Sequence, residues 1–183
     1  IRSGLYGQFS VASGIFYQLA DPNYFLYGYK PQMQQAIHYI ANYQYMHNDR
    51  TLRLEAYYKD YQQLVRERVA NYNPNTYRYI YGTVDNSGTG YAGGAELFWR
   101  DKKSIKNADY WISYSYIDTR RLYKNYQAEV QPDFIATHNL NIITKYFIEK
   151  LQTQVNLTYN YASGRPYYNP ANPSFLGDRT QIG

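Results

Sequence analysis

The sequence contains no cysteine among its 183 residues. The chain therefore has no disulfide framework, no thiolate nucleophile and no cysteine-ligated metal site. It also lacks a run of about 18 consecutive apolar residues, which a membrane-spanning helix requires. No run of five like charges occurs, and the basic residues behind the net charge of +5 are scattered over many segments. This distribution indicates a solvated basic surface rather than a nucleic-acid interface.

The patterns of common catalytic and metal sites are missing as well. The three histidines, His38, His47 and His138, do not have the spacing of a zinc motif such as HExxH. Ser163 does not lie in the GxSxG frame of a nucleophile elbow. The glycines in 88–94 lack the Lys-Ser/Thr pair that follows a phosphate-binding loop. We therefore expect a protein that is not an enzyme and that has no metal and no cofactor.

Tyrosine is the abundant residue: the chain has 26 tyrosines, and aromatic residues make up 19% of it. A tyrosine side chain has an apolar ring and a polar tip, so it suits a membrane–water interface and strand surfaces in general. The mean hydropathy of −0.69 resembles that of a soluble protein. Transmembrane barrels have similar values, because half of the residues of each strand face water.

Apolar and polar residues alternate along much of the chain, most clearly in 152–161. Val155 and Leu157 fall on one face of a strand there, whereas Gln154 and Asn156 fall on the other. About eight strands are predicted in this way, at 1–7, 9–19, 36–47, 51–64, 91–100, 108–118, 136–148 and 151–162. The intervening segments 21–35, 65–90 and 119–135 are predicted to be loops, with a hairpin as an option at 76–81.

The predicted connections alternate between short and long. The short ones lie near Asn48, Lys103 and Glu149, and the long ones follow residues 19, 64, 118 and 162. Outer-membrane barrels have short turns on the periplasmic side and long loops on the outer side. The sequence therefore predicts an all-β fold, an antiparallel transmembrane β-barrel.

Several strings, in order, resemble TonB-dependent outer-membrane receptors of the Bacteroidota type. They are 13–18 (SGIFYQ), 88–97 (GTGYAGGAEL), 110–116 (YWISYSY), 118–120 (DTR), 138–141 (HNLN) and 162–167 (ASGRPY). The resemblance implies a barrel of 22 strands around a plug. Residues 1–183 would then be a fragment of that single barrel domain, without the plug and the final strands.

The resemblance also implies a function and a set of partners. The parent protein would be an active importer of a scarce ligand in the bacterial outer membrane. Its partners would be outer-membrane lipid, its own plug domain, TonB and an unknown imported ligand, with a surface lipoprotein as a further candidate and no nucleic acid. The ligand stays open among siderophores, cobalamin, oligosaccharides and peptides.

Strand alternation divides the predicted barrel wall into a lipid face and a lumen face. The predicted lipid-facing residues are Ile37, Tyr39, Leu52, Leu54, Leu97, Ile112, Tyr114, Leu140, Ile142, Val155 and Leu157. The predicted lumen-facing residues are Arg53, Glu55, Glu96, Arg100, Asn141, Lys145, Gln154 and Asn156. A buried core made of the first set would contradict the membrane hypothesis.

Candidate ligand-binding residues come from the lumen face and from the outer loops. They are Arg53, Glu55, Glu96, Arg100, Tyr77, Tyr79 and Tyr167. The loop tyrosines could stack on a ligand, and packing on one another is the alternative. An acid–base role for Glu55 and Glu96 requires a short separation, so we instead expect ion pairs with Arg53, Lys59 or Arg100.

Two other classes of function remain open at this point. One is a passive porin-like barrel, which an upstream plug domain would exclude. The other is a secreted β-sandwich that binds glycans through aromatic side chains, which extraction only by detergent would exclude.

Overall fold

The computed structural model of the protein describes residues 6–68, 83–124, 126 and 128–166. They form one antiparallel sheet in which the strands follow one another in chain order. The seven strands are β1 (Gln8–Gln18), β2 (Gln34–His47), β3 (Arg50–Arg68), β4 (Thr83–Asp101), β5 (Ala108–Leu122), β6 (His138–Ile148) and β7 (Thr153–Ala162). The predicted all-β antiparallel class is confirmed, and over the described ranges the sheet is not closed into a barrel.

The strand count is seven where the sequence predicts about eight. The additional predicted strand, 1–7, falls mostly on residues 1–5, which lie outside the described ranges, and Tyr6 and Gly7 are not in a strand. The optional hairpin at 76–81 also lies outside them. Each of the other seven predictions corresponds to an observed strand.

Three short connections join strands at one rim of the sheet, which we call the turn rim. Asn48 and Asp49 connect β2 to β3 with φ angles of 47° and 59°. Two left-handed residues in a two-residue hairpin match the strand twist, and Asn and Asp tolerate this conformation. Residues 102–107 join β4 to β5, and the 3-10 turn Glu149–Leu151 with Gln152 joins β6 to β7. The predicted short turns are confirmed, and the long connections lie at the opposite rim, the loop rim.

Three strands extend into segments that are predicted to be loops. β3 continues to Arg68 and β4 begins at Thr83, so the loop prediction for 65–90 is wrong at both ends. β5 continues to Leu122, so the loop prediction for 119–135 is wrong at its start. Alternation fails here because the β3 and β4 extensions are mainly polar, and their two valines, Val65 and Val84, are too few to mark one apolar face. The register shifts around Gln63, whose φ is 55°, and pairing then resumes. Asn86 secures this bulge, because its Nδ2 donates to the Gln63 carbonyl at 2.8 Å. We call residues 63–68 and 83–88 the β3–β4 arm.

The predicted loop 21–35 contains a one-turn helix, α1 (Pro22–Leu26). Asp21 caps it by accepting a hydrogen bond from the Asn23 N–H at 3.0 Å. Pro22 occupies the first turn, where its missing N–H costs nothing. The cap and the proline explain why a segment that resembles a loop in composition forms a helical turn. Among the described residues no helix has the length and apolarity needed to cross a bilayer.

The clusters of buried apolar side chains lie at the loop rim rather than across the sheet. One cluster consists of Leu64, Tyr123, Tyr126 and Val130, with Tyr61 packed against it. The other consists of Ala20, Tyr24 and Val65, with Tyr29 and Val84 against it. These clusters tie α1, the β3–β4 arm and the β5–β6 connection together.

Candidate functional site: the two faces of the sheet

The register assigns every strand residue to one of two faces, because directly opposed residues in an antiparallel pair share a face. Leu54, for example, lies opposite Tyr43 on β2 and Leu97 on β4. Followed across all six strand pairs, the register puts all eleven predicted lipid-facing residues on one face and all eight predicted lumen-facing residues on the other. The predicted division is confirmed. We call the two sides the apolar face and the polar face.

The apolar face has no covering layer among the described residues. Tyr39 is 51% exposed, Leu54 41% and Leu157 68%, although all three lie well inside their strands. The predicted lipid-facing set therefore does not form a buried core, which was the outcome that would contradict a membrane-facing surface. A continuous apolar surface of this kind requires an apolar environment or a partner.

The apolar stretch shifts along the strands from one side of the sheet to the other. It covers 9–17 of β1, 37–45 of β2, 52–58 of β3, 91–99 of β4, 110–116 of β5, 140–148 of β6 and 155–161 of β7. Its centre on β1, Ser13, is level with Tyr58 of β3 in the hydrogen-bonded register. Its centre on β7, Thr158, is level with Thr51. The apolar stretch thus moves from the level of residue 58 to that of residue 51 across the sheet.

This shift corresponds to a definite strand tilt. Seven residues over six strand-to-strand steps are about 23 Å along the strands and about 29 Å across them, at roughly 3.3 Å per residue and 4.8 Å per strand. If the apolar band follows one plane, the strands must be tilted by about 40° from the normal to that plane. The strands of transmembrane barrels are tilted by about 35–45°. On the same geometry the band is about 20 Å tall, close to the roughly 25 Å of a barrel in a membrane.

Aromatic residues lie along both edges of this tilted band. The edge towards the turn rim carries Phe9, Tyr43, Tyr45, Trp99, Tyr110 and Tyr146. The edge towards the loop rim carries Tyr17, Tyr39, Tyr58, Tyr91, Tyr116 and Tyr161. The middle is mainly aliphatic, with Val11, Ala41, Leu54, Ala56, Leu97, Ile112, Ile142 and Leu157, besides Tyr114 and Tyr159. Aliphatic residues also occupy some edge positions, namely Ile37, Leu52, Leu140, Ile148 and Val155. Two aromatic girdles around an aliphatic centre are typical of a membrane barrel.

The polar face brings three of the predicted site residues together. Arg53, Glu55 and Glu96 line a shallow groove of about 260 Å³ with Phe98 and Ser113. Glu55 lies directly opposite Glu96, and the Arg53 guanidinium lies 5.4 Å from the centre of the Phe98 ring. Neither carboxylate forms an ion pair with Arg53 or another described cation, so the expected ion pairs are wrong.

Arg100 lies apart from this groove, near the turn rim of the polar face. Its Nε and Nη2 donate to the two carboxylate oxygens of Asp109 at 2.9 and 2.6 Å. The predicted pairing of Arg100 with a glutamate is therefore wrong, because the register puts Asp109 one strand away. Trp111 lies between Arg100 and Lys145, whose charged groups are 5.3 and 5.4 Å from its ring centre. This cluster is structural in character, since the Arg100 charge is already paired.

The remaining predicted site residues, Tyr77, Tyr79 and Tyr167, lie outside the described ranges. The three histidines are described, and no group of three or more His, Cys, Asp or Glu side chains within the ranges 6–68, 83–124, 126 and 128–166 can hold a metal ion. The Tyr114 hydroxyl and His138 Nδ1 form a hydrogen bond of 2.8 Å.

A set of cross-strand tyrosine–glycine pairs was not anticipated from the sequence. Tyr57 lies opposite Gly94, Tyr58 opposite Gly93 and Tyr61 opposite Gly90. The glycines leave room for the rings: a Cβ atom on Gly94 would lie 2.6 Å from the Tyr57 ring carbon that bears the hydroxyl. An aromatic ring that covers a strand glycine restores the missing packing. Only the pairing of β3 with β4 brings these tyrosines and glycines together, so the sequence of either strand alone does not reveal the pairs.

Comparisons with known proteins do not identify a relative of this chain. No protein-family model, no curated protein and no solved structure matches the chain.

Proposed function

We propose that the seven strands form part of the wall of a transmembrane β-barrel in a bacterial outer membrane, and that the barrel belongs to an active importer of the TonB-dependent type. The observation that carries the membrane part is the tilted apolar band with an aromatic girdle along each edge. A sheet that packs on a second protein layer has no reason to place aromatics at both edges of a band tilted by about 40°.

The polar face would line the water-filled interior of this barrel. Its charged and amide side chains, including Arg53, Glu55 and Glu96, need a hydrated surface, and they stay accessible in the groove between β3 and β4. The long connections and the buried clusters would then lie on the outer side of the membrane, and the turns on the periplasmic side.

The importer part of the proposal depends on the ordered motifs at 13–18, 88–97, 110–120, 138–141 and 162–167. In an importer of this kind the wall supplies polar contacts and no covalent chemistry. Capture of the ligand would take place at the loop rim, where α1, the β3–β4 arm and the β5–β6 connection form folded structure.

The two tryptophans provide a direct test of the membrane proposal. Trp99 lies on the apolar face in the girdle near the turn rim, and Trp111 lies on the polar face of the neighbouring strand. They are the only tryptophans in the chain. The Trp111→Phe variant therefore reports on Trp99 alone, and the Trp99→Phe variant on Trp111 alone.

Both variants are inserted into vesicles made with brominated lipid, and tryptophan fluorescence is measured. We expect strong quenching of Trp99 by the brominated acyl chains and little quenching of Trp111, with the reverse order for aqueous iodide. Quenching of neither tryptophan by brominated lipid would overturn the membrane proposal and favour a soluble sandwich. For the importer, ligand uptake by cells should stop when TonB is deleted, whereas uptake through a pore would continue.

A further inference from the structure

A pocket of about 530 Å³ opens on the polar face at the loop rim. Its volume is in the range of small-molecule sites. Its floor includes Phe16, Ala36, Tyr61 and Arg121. These residues belong to one row of directly opposed positions, in which Gly90 of β4 lies between Tyr61 and Arg121. The walls come from α1, the β3–β4 arm and the β5–β6 connection, through residues that include Tyr24, Leu64, Val65 and Tyr123.

Arg121 is held in a fixed position on this floor. Its guanidinium lies 4.4 Å from the centre of the Tyr61 ring, and Nη2 donates to the Tyr61 hydroxyl at 3.3 Å. Gly90, opposite Arg121, makes this approach possible, since a Cβ atom there would lie 3.0 Å from the Arg121 Cγ. A stacked guanidinium keeps its edge free for hydrogen bonds to an anion.

The charge of Arg121 has no carboxylate partner in the described part of the chain. Its Nε is buried without a hydrogen-bond acceptor there. A second cation, Lys124, lines the same pocket. The single carboxylate in the lining is Asp21, whose Oδ1 already accepts two hydrogen bonds from Asn23 at the start of α1. The pocket therefore presents an excess of positive charge.

The remaining lining is largely aromatic and aliphatic. Phe16 packs on His38 with ring centres 4.4 Å apart and the ring planes tilted by 33°, and Tyr61 and Leu64 also line the pocket. Such a surface suits a planar apolar group. The pocket thus combines a cationic end with an apolar end.

We propose that this pocket binds a small amphipathic anion, with its carboxylate or phosphate held by Arg121 and Lys124 and a planar apolar body against Phe16 and Tyr61. The placement of the pocket at the outer mouth of a lumen depends on the proposed function, whereas the binding chemistry does not. In the importer this site would be a point of ligand capture.

The test compares three probes that share one ring system: 2-naphthoate, 2-naphthyl phosphate and neutral 2-naphthalenemethanol. Binding to the purified protein is measured by titration calorimetry, in lipid nanodiscs if the protein inserts into a bilayer and in buffer if it does not, with the matching protein-free sample as the reference. We expect at least one of the two anions to bind about 10-fold or more tightly than the alcohol, because charge-assisted hydrogen bonds are much stronger than neutral ones. The stronger of the two anions identifies the preferred head group. Equal binding of all three probes would overturn the proposal.

Matched variants separate the pocket from general attraction to a basic protein. Arg121→Gln should lower anion affinity about 10-fold or more and leave the alcohol unchanged. Arg120→Gln is the control, because the neighbouring side chain lies on the apolar face. Lys124→Gln, compared with Lys145→Gln near the turn rim, repeats the test without disturbing the Arg121–Tyr61 stack. Equal anion affinity in Arg121→Gln, Lys124→Gln and the two controls would exclude the site. This result is independent of the tryptophan quenching, so each proposal can fail alone.

Discussion

At the scale of single residues, Gly93 and Gly94 show how closely the strands approach one another. The two glycines are neighbours in β4 and face opposite sides of the sheet. A Cβ atom on Gly93 would make an ordinary contact, 3.5 Å from the Tyr58 Cδ2. A Cβ atom on Gly94 would lie 2.6 Å from the Tyr116 carbonyl oxygen, which is backbone and cannot move aside.

The same substitution at these two positions should therefore have opposite effects. Gly94→Ala should lower the free energy of unfolding by about 1–3 kcal/mol, as overpacking does. Gly93→Ala should leave it unchanged or raise it by about 0.5 kcal/mol, because alanine restricts the unfolded chain. Urea unfolding of both variants, each against the parent, measures the difference. Equal losses in the two variants would mean that the Tyr116 carbonyl oxygen and the Tyr57 ring do not limit the space at Gly94.

Leu54 and Glu55 are a second pair of neighbours on opposite faces. Leu54 lies in the aliphatic centre of the band, where an arginine would have neither water nor a partner. In a membrane barrel Leu54→Arg should cost about 2–4 kcal/mol, and Glu55→Gln on the hydrated side should cost far less. Reversible unfolding from lipid vesicles gives both values. A tolerated Leu54→Arg together with a damaging Glu55→Gln would show that the two faces have been exchanged.

At the scale of elements, the β3–β4 arm is secured by polar contacts at its tip. Asp85 accepts hydrogen bonds from the Ser87 hydroxyl and N–H, and Arg68 Nε lies 2.9 Å from its second oxygen. These hydrogen bonds, that of the Ser87 hydroxyl first, lower the pKa of Asp85 from 3.8 to about 2. The ionised carboxylate therefore stabilises the folded arm more than the open one.

The stability of the arm should depend on pH in one direction only. Because the folded pKa is below the ordinary value, the contribution of Asp85 is complete above about pH 4–5 and is lost as the pH falls towards 2. Pepsin cleavage of the arm is measured at pH 4.5 and pH 2.5, and at each pH the rate is divided by that of the Asp85→Asn variant. We expect this ratio to be higher at pH 2.5. A constant ratio between the two proteins would contradict this role of Asp85.

The elements also show what the sequence alone can predict. Where one face is apolar and the other polar, as in β2, the middle of β3 and β5, alternation predicts the strand and its faces. It fails in 83–90 and 119–122, where polar residues and glycines predominate and only Val84 and Leu122 are aliphatic, because pairing there depends on the partner strands and not on a sequence pattern. The pocket at the loop rim was not predictable either. Its lining comes from β1, β2, β3, β5 and two connections, which only the register brings together.

At the scale of the whole molecule, the two rims should lie on opposite sides of a membrane. Lys30 lies in the β1–β2 connection at the loop rim, and Lys103 in the β4–β5 turn at the other, and both are exposed. The chain has no cysteine, so Lys30→Cys and Lys103→Cys each introduce a unique thiol. A membrane-impermeant maleimide should label Lys30→Cys in intact cells and Lys103→Cys only after permeabilisation. Equal labelling of both in intact cells would contradict the proposed orientation.

The number of strands in the sheet has a consequence for its closure. Antiparallel strands alternate in direction, so β1 and β7 run the same way. A direct pairing of these two edges would create a parallel ladder, which differs in hydrogen-bond geometry from every other pair in the sheet. A closed barrel in which every neighbouring pair is antiparallel contains an even number of strands. An odd number of further strands, from the same polypeptide or another, must therefore lie between β7 and β1 in a closed antiparallel barrel.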